Sequence, residues 1–159
     1  GPRTARLTKA LVYDQQAAAS VGTSQDSSET AGEFQIVITP RPGHSLAQLE
    51  AATDAIFERI KAEGPTAEEI QRATAGMELQ FVSSLQSNLG KAMRLADGSG
   101  FHGDPGQYQT EYAKSLAVTA ADVQRVAKKY LTKARVVLSI VPMGQVNQAS
   151  NPAESQLVK

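Results

Sequence analysis

The sequence predicts an α+β fold in which an antiparallel or mixed sheet is covered by several helices on one face. Two strand-like segments lie within the first 40 residues, segments with helical spacing follow up to residue 131, and a last strand-like segment comes after them. The length of 159 residues fits one domain or most of one. Because three strands are few for so much helix, we expect further strands of the same sheet upstream of Gly1, which would make the chain a partial domain.

Composition argues against several function classes. Sixteen basic residues balance sixteen acidic ones, so the chain lacks the broad positive field on which nucleic-acid binding depends. No apolar run approaches the roughly 18 residues of a membrane-spanning helix, and we expect no membrane-spanning segment. The absence of cysteine excludes disulfides, thiolate zinc sites and cysteine nucleophiles, and it leaves the compartment open.

The first 40 residues predict the end of a helix and then two strands. Leu7, Leu11 and Val12 form an apolar edge with helical spacing. Residues 17–23 are small and weakly polar, and residues 32–39 alternate apolar and polar side chains, as a strand with one buried face does. We expect an antiparallel pair joined by a loop of roughly eight polar residues.

Four helices are predicted between residues 45 and 131. Their starts are marked by cap residues at local spacing: Ser45 with Gln48, Thr66 with Glu69, Asp104 with Pro105, and Thr119 with Asp122. The second of these helices would be about 30 residues long, unless Ser83-Ser84 or Asn88-Leu89-Gly90 kinks it.

Glycines predict where the long helix ends, and an apolar stripe predicts which of its faces is buried. Residues 98–100 (Gly-Ser-Gly) should end it in a flexible loop. Met77, Phe81, Leu85 and Leu89 recur at helical spacing and predict a core-facing stripe rather than a cofactor contact.

The last part of the chain predicts a strand and a polar tail. Residues 135–142 are apolar on both faces, which is typical of a central strand that is covered on both sides. From Gln145 to Lys159 the sequence is polar and reads as a linker or tail. The predicted boundaries are therefore 1–144 for the α/β domain and 145–159 for the tail.

The residues themselves predict no catalytic, cofactor-binding or metal-binding site. His44 and His102 are the only histidines, and neither has a second histidine at the spacing of H-E-x-x-H or H-x-x-E-H. Both are interpreted as loop histidines, although an independent hydrolase using one of them remains an alternative that predicts activity lost on His→Ala exchange. Glu68 and Glu69 point about 100° apart on a helix, so they do not form an acid pair.

Two further motifs give no evidence of a site. No G-x-S-x-G is present. Residues 98–103 have the letters of G-x-G-x-x-G, but they follow a predicted helix rather than a strand, so they do not predict a phosphate-binding loop.

Three stretches resemble the insulinase-type zinc metallopeptidases, the family of pitrilysin and the mitochondrial processing peptidase. Arg6-Leu7-x-Lys9-x-Leu11, followed by residues 17–22 and 32–36, resembles the second half of a domain in this family. Residues 64–73 are similar to the helix start G-x-T-x-x-E-L-x-x-A. Residues 118–131 are similar to V-T-x-x-D-V-x-x-V-A-x-x-Y-L, which precedes the last strand of the domain.

This resemblance implies the mitochondrial-processing-peptidase-like fold, with the chain as the C-terminal part of a second, non-zinc domain. In the family, zinc is held in the first domain by H-x-x-E-H and a downstream glutamate, and none of these ligands is in this sequence. The implied function is a structural and substrate-chamber domain of a zinc endopeptidase acting on peptides or unfolded segments. Its partners would be the rest of the parent peptidase, or a homologous half, and the peptide. The resemblance favours a periplasmic or secreted bacterial setting.

One departure from the family pattern bears on catalysis. Many relatives carry an arginine and a tyrosine that help to hold the substrate, and the corresponding positions here are Val12 and Ala19. Neither side chain can donate a hydrogen bond. The resemblance therefore implies no contribution to an active site in trans. A stand-alone assembly module without proteolysis, like the core subunits of the respiratory complex that share this fold, is the alternative function.

Overall fold

A computed structural model describes residues 2–28 and 30–157 of the chain. It divides into two compact units, one formed by Gly1–Arg59 with Thr132–Lys159 and the other by Ile60–Leu131. Helices and a two-stranded antiparallel sheet make up the described residues, which confirms the α+β class.

The first unit begins with a short helix and a β-hairpin. Helix α1 (Arg6–Thr8) continues into a π-helical turn (Lys9–Asp14), and strands β1 (Ala18–Ser27) and β2 (Gly32–Pro40) follow. The strands pair antiparallel, with Val21 opposite Ile38. The connection is shorter than the predicted eight residues, because the polar end of β1 still pairs with β2 and Ser28 N donates to Ala31 O at 2.8 Å.

Small and aliphatic side chains form the buried part of this unit. Its buried apolar residues are Leu11, Ala17, Ala18, Val21, Leu49, Ile56, Phe57 and Ala149. Three of these lie on helix α2 (Leu46–Glu63), whose last residues belong to the second unit. The predicted apolar face of β2 is only partly covered, since Ile36 and Ile38 are half-buried while Phe34 is exposed.

The prediction of a central, covered strand at residues 135–142 is wrong. This segment forms no strand, and the side chains of Val136 and Ile140 are 95% and 87% exposed. Within the described residues, the backbone of 136–141 has no backbone hydrogen-bond partner. A strand is held by hydrogen bonds to a neighbouring strand, and among the residues that the structure describes β1 and β2 pair only with each other.

Four helices make up the second unit: α3 (Ala67–Ser84), α4 (Asn88–His102), α5 (Gln107–Leu116) and α6 (Ala120–Tyr130). The long predicted helix is therefore divided in two, and the break lies between Ser84 and Asn88, the residues at which the sequence allowed a kink. Ser87 accepts a hydrogen bond from Gly90 N at 3.0 Å and caps α4. A Cβ at Gly90 would lie 1.9 Å from the Ser84 carbonyl oxygen, so the tight turn between the helices requires glycine there.

The predicted loop at residues 98–100 is also wrong, because α4 continues through these residues to His102. A Cβ at Gly98 would lie 2.4 Å from Asp104 O, so this glycine permits a close backbone approach instead of ending the helix. Gly103, which has φ +68°, follows His102 and caps the end of the helix. Helix α5 then starts later than predicted, at Gln107, and Asp104 Oδ1 accepts from Gly106 N at 2.8 Å.

The predicted apolar stripe is half right. Phe81 and Leu85 are half-buried, whereas Met77 and Leu89 are exposed. The break between α3 and α4 rotates Leu89 off the line of the stripe, because helical spacing holds only within one helix.

None of the helices formed by residues 2–28 and 30–157 combines the length with the hydropathy that a bilayer crossing demands.

Three of the predicted helix caps are present. Ser45 and Gln48 exchange side-chain and backbone hydrogen bonds of 3.1 and 3.2 Å, and complete capping boxes join Thr66 with Glu69 and Thr119 with Asp122. These caps satisfy backbone N–H groups that have no partner inside the helix.

Replacing Thr119 by alanine is expected to lower the free energy of unfolding by about 1 kcal/mol, because the cap of α6 loses its hydroxyl acceptor. Urea unfolding followed by far-ultraviolet circular dichroism measures this change. Thr110→Ala is the matched control, since Thr110 lies exposed in the middle of α5. Equal losses in the two variants would show that the cap contributes nothing.

Candidate functional site

The chain enters β1 through a π-helical turn. Gln15 N donates to Ala10 O at 2.9 Å, a hydrogen bond that spans five residues instead of four. Gln16 then adopts φ +50°, the left-handed region that residues other than glycine rarely occupy. Single π-helical turns are frequent at functional sites, since they displace side chains from the regular helical positions.

A β-bulge follows the π-helical turn after only a few residues. Ala18 pairs with Pro40 and Ser20 with Thr39, which leaves Ala19 as the extra residue of β1. Arg41 holds this region, because its backbone N–H donates to Ala17 O at 2.9 Å and its Nε donates to Ala18 O at 3.2 Å. Bulges of this kind re-aim a side chain relative to the regular sheet.

Buried residues lie next to the π-helical turn and the bulge. Leu11 and Ala18 are fully buried, and Thr8, Ala17 and Val21 are nearly so. Because these side chains are fixed by packing, the positions between them are fixed as well. We define the π–bulge site as the π-helical turn Lys9–Asp14 together with the bulge at Ala19.

Val12 and Ala19, the two positions that the family resemblance identifies, lie in these two irregular elements. Val12 belongs to the π-helical turn and is half-buried, and Ala19 is exposed at the bulge. Neither side chain carries a polar atom, so neither can hold a substrate carbonyl by hydrogen bonding. The π–bulge site can offer shape and backbone groups, but no side-chain donor at these positions.

A cluster of ion pairs lies elsewhere in the first unit, on helix α2. Arg135 donates to the carboxylates of Glu50 and Asp54. Its Nη2 lies 2.7 Å from a Glu50 oxygen and 3.0 Å from an Asp54 oxygen, and its Nη1 donates to the other oxygen of Asp54. Lys133 Nζ lies 2.7 Å from Asp54. Ser150 donates to the second oxygen of Glu50 at 2.6 Å.

The electrostatics of this α2 cluster favour the charged forms. The hydrogen bond from Arg135 lowers the pKa of Asp54 to about 2, against the opposing effect of burial. The hydrogen bonds from Ser150 and then from Arg135 lower the pKa of Glu50. Carboxylates held ionised in this way are poor proton donors, so the cluster is not an acid–base centre. Its role is structural, because it joins residues 133–150 to α2.

The predicted tail is joined to the first unit by the same cluster. Residues 146–148 form a 3₁₀ turn, Ala149 is buried, and Ser150 binds Glu50. The boundary between residues 144 and 145 stays a prediction.

Both histidines lie exposed at the ends of secondary-structure elements. His44 follows β2, where its backbone N–H donates to Arg41 O at 3.2 Å, and His102 is the last residue of α4. Across residues 2–28 and 30–157, no three side chains of the kinds that ligate metals lie close enough together to hold an ion. The donor set of a zinc peptidase does not fit the described residues.

Sequence reasoning missed the π–bulge site and the α2 cluster as structural features. The acidic pair Glu50 and Asp54, four residues apart on one helix, was a local signal that a basic partner is needed. Nothing local identified Arg135 as that partner, because 81 and 85 residues separate it from the two carboxylates.

Comparisons with known proteins agree with this description. Residues 1–77 match the family described as the peptidase M16 inactive domain. The fold matches a protease from Helicobacter pylori with a TM-score of 0.70 and 21% identity over 83% of this chain. It also matches the inactive peptidase domain of a proposed zinc protease from Bordetella parapertussis, with a TM-score of 0.73 and 20% identity over 84% of this chain. A proposed zinc protease from Bordetella pertussis has a TM-score of 0.71 and 20% identity over 83% of this chain.

The relatives are longer than this chain. It spans 32% of the Helicobacter protein and 70% and 71% of the two Bordetella structures. No curated protein sequence matches it. The family match and the shared fold confirm the predicted resemblance to an inactive, second-domain segment of a zinc peptidase.

Proposed function

From the match of residues 1–77 to the M16 inactive domain, we propose that this chain is a structural and substrate-chamber domain of an insulinase-type zinc endopeptidase. In this proposal, zinc and the catalytic residues belong to the first domain of the parent protein. The chain contacts the rest of that peptidase, or a homologous half, and helps to enclose a peptide or an unfolded segment.

The π–bulge site is the structural observation that supports this role. It contains two irregular backbone elements, and Val12 and Ala19 stand where the resemblance expects an arginine and a tyrosine. An exposed alanine at a bulge leaves room beside the strand for an extended peptide, and it provides no group that would bind the reacting carbonyl. The chain would therefore line the chamber without taking part in the chemistry.

A photo-crosslinking side chain at Ala19 tests the chamber role. Incorporated into the parent peptidase, it is expected to capture a bound peptide substrate, because Ala19 is exposed at the proposed site. Mass spectrometry of the adduct measures the capture. The matched control places the same side chain at Asp26, which is exposed on the same strand and about 23 Å farther along it. Equal capture at both positions, or none at Ala19, would contradict the chamber role.

Metal content and activity separate this proposal from its alternative. The parent protein is expected to bind zinc and to cleave unfolded substrates in a way that a chelator abolishes, whereas the isolated chain should do neither. A stoichiometric partner recovered without any peptidase activity in the complex would favour the assembly module instead.

A further inference from the structure

The second unit contains a groove of about 180 Å³ lined by aromatic rings. Phe81 of α3 and Tyr112 of α5 are stacked, with ring centroids 3.9 Å apart and planes 3° apart. The ring centroid of Tyr108 lies 6.1 Å from that of Phe81, and Met77 completes the apolar lining. Pockets for drug-sized ligands measure roughly 300–1,000 Å³, so this groove has room for one large side chain rather than a folded segment.

Arg94 of α4 supplies a fixed cation in this groove. Its Nε donates to Ser84 Oγ at 2.8 Å, and its Cζ lies 5.3 Å from the centre of the Phe81 ring. Ser84 Oγ in turn donates to Phe81 O at 2.7 Å, which fixes the acceptor that orients the guanidinium. Within the described part of the chain, the two terminal nitrogens of Arg94 have no hydrogen-bond or ion-pair partner.

The other charged group that lines the groove is Glu111. Its carboxylate already accepts from Lys114 Nζ at 2.9 Å and from Gln107 Nε2 at 2.8 Å. Because Lys114 offsets the charge of Glu111, the positive charge of Arg94 is left for a ligand. Two parallel N–H donors on one guanidinium match the two oxygens of a carboxylate.

We propose that this groove binds the C-terminal end of a peptide whose last residue is large and apolar. The terminal carboxylate pairs with Arg94, and the apolar side chain packs against Phe81, Tyr108 and Tyr112. The proposal is independent of the chamber role, since the groove lies in residues 60–131 and binding is measured on the chain itself.

A titration of the isotopically labelled chain with short peptides, followed by NMR, tests the proposal. The probes are acetyl-Ala-Ala-Phe with a free carboxylate, the same peptide as its C-terminal amide, and acetyl-Ala-Glu-Phe-amide, which carries its carboxylate on a side chain. The free acid is expected to bind about tenfold more tightly than either amide, because only it offers a carboxylate next to the terminal ring.

Variants test separately the cationic part of the groove at Arg94 and its aromatic part at Tyr112. Arg94→Gln should abolish the preference for the acid, whereas Tyr112→Leu should weaken acid and amide alike. Arg125→Gln on α6 is the control for Arg94, since Arg125 is an exposed arginine outside the groove, and it should leave the preference unchanged. Equal binding of acid and amide to the unaltered chain overturns the proposal, as does a preference that survives in Arg94→Gln. Binding of the glutamate amide as tight as that of the acid overturns the assignment to a peptide terminus.

Discussion

Replacing Leu11 by alanine is expected to lower the free energy of unfolding by about 3 kcal/mol. Leu11 is the largest side chain that is fully buried among the described residues, and it lies in the π-helical turn beside the buried residues of β1. Removing its branched end leaves a cavity that fixed neighbours cannot fill. Urea denaturation of the purified chain, followed by circular dichroism, measures the loss.

Leu138→Ala is the matched control for this experiment. It makes the same chemical change in the same unit, at a side chain that is 70% exposed in the segment that the sequence predicts to be a covered strand. Its effect should stay within about 0.5 kcal/mol. A loss as large as that of Leu11→Ala would show that residues 135–142 are packed after all.

Replacing Arg135 by methionine is expected to lower the free energy of unfolding by about 2 kcal/mol at pH 7. The change leaves Glu50 and Asp54 ionised on the same helix face without their shared guanidinium. Removing one partner of a fully buried ion pair costs more than this, but these side chains are 19–30% exposed, so solvent screens part of the effect. Methionine keeps much of the apolar length of the arginine, which limits the loss of packing.

The difference in the free energy of unfolding between the unaltered chain and Arg135→Met should depend on pH, and this dependence identifies its cause. Because the folded-state pKa of Asp54 is depressed to about 2, its contribution is complete above its ordinary pKa of 3.8 and is lost as the pH falls from about 4 towards 2. Unfolding curves of the two proteins should therefore converge over that interval. Asp26→Asn is the control: Asp26 is an exposed aspartate of β1, and its carboxylate has no ion pair within the described residues. A gap that persists unchanged at pH 2 would mean that Arg135 acts through packing alone.

The fold class and most helix starts could be predicted because each depends on residues close together in the chain. A capping box such as Thr66 with Glu69 spans three residues, and its hydrogen bonds form wherever the helix begins. The alternation in residues 32–39 likewise determined that β2 is a strand. The family signatures also lie within single segments, and the match of residues 1–77 to the inactive M16 domain covers those in residues 6–36 and 64–73.

The candidate site could be predicted only in part. The resemblance identified Val12 and Ala19 by position, but no residue pattern predicted a π-helical turn or a bulge there. The bulge lies next to contacts made by Arg41, which follows β2 and donates to the carbonyls of Ala17 and Ala18. Likewise, the groove around Arg94 requires side chains from three helices, and the sequence alone does not show which of their faces meet.

By itself, then, the sequence determined the class of fold, most helix starts and the absence of a zinc-peptidase motif, because these follow from local spacing and residue type. Tertiary structure alone decided the exposure of Val136, Leu138 and Ile140 and the pairing of Arg135 with two carboxylates more than 80 residues away. The physical reason is that an apolar or charged side chain specifies what kind of partner it needs, whereas the folded chain determines whether that partner is within reach.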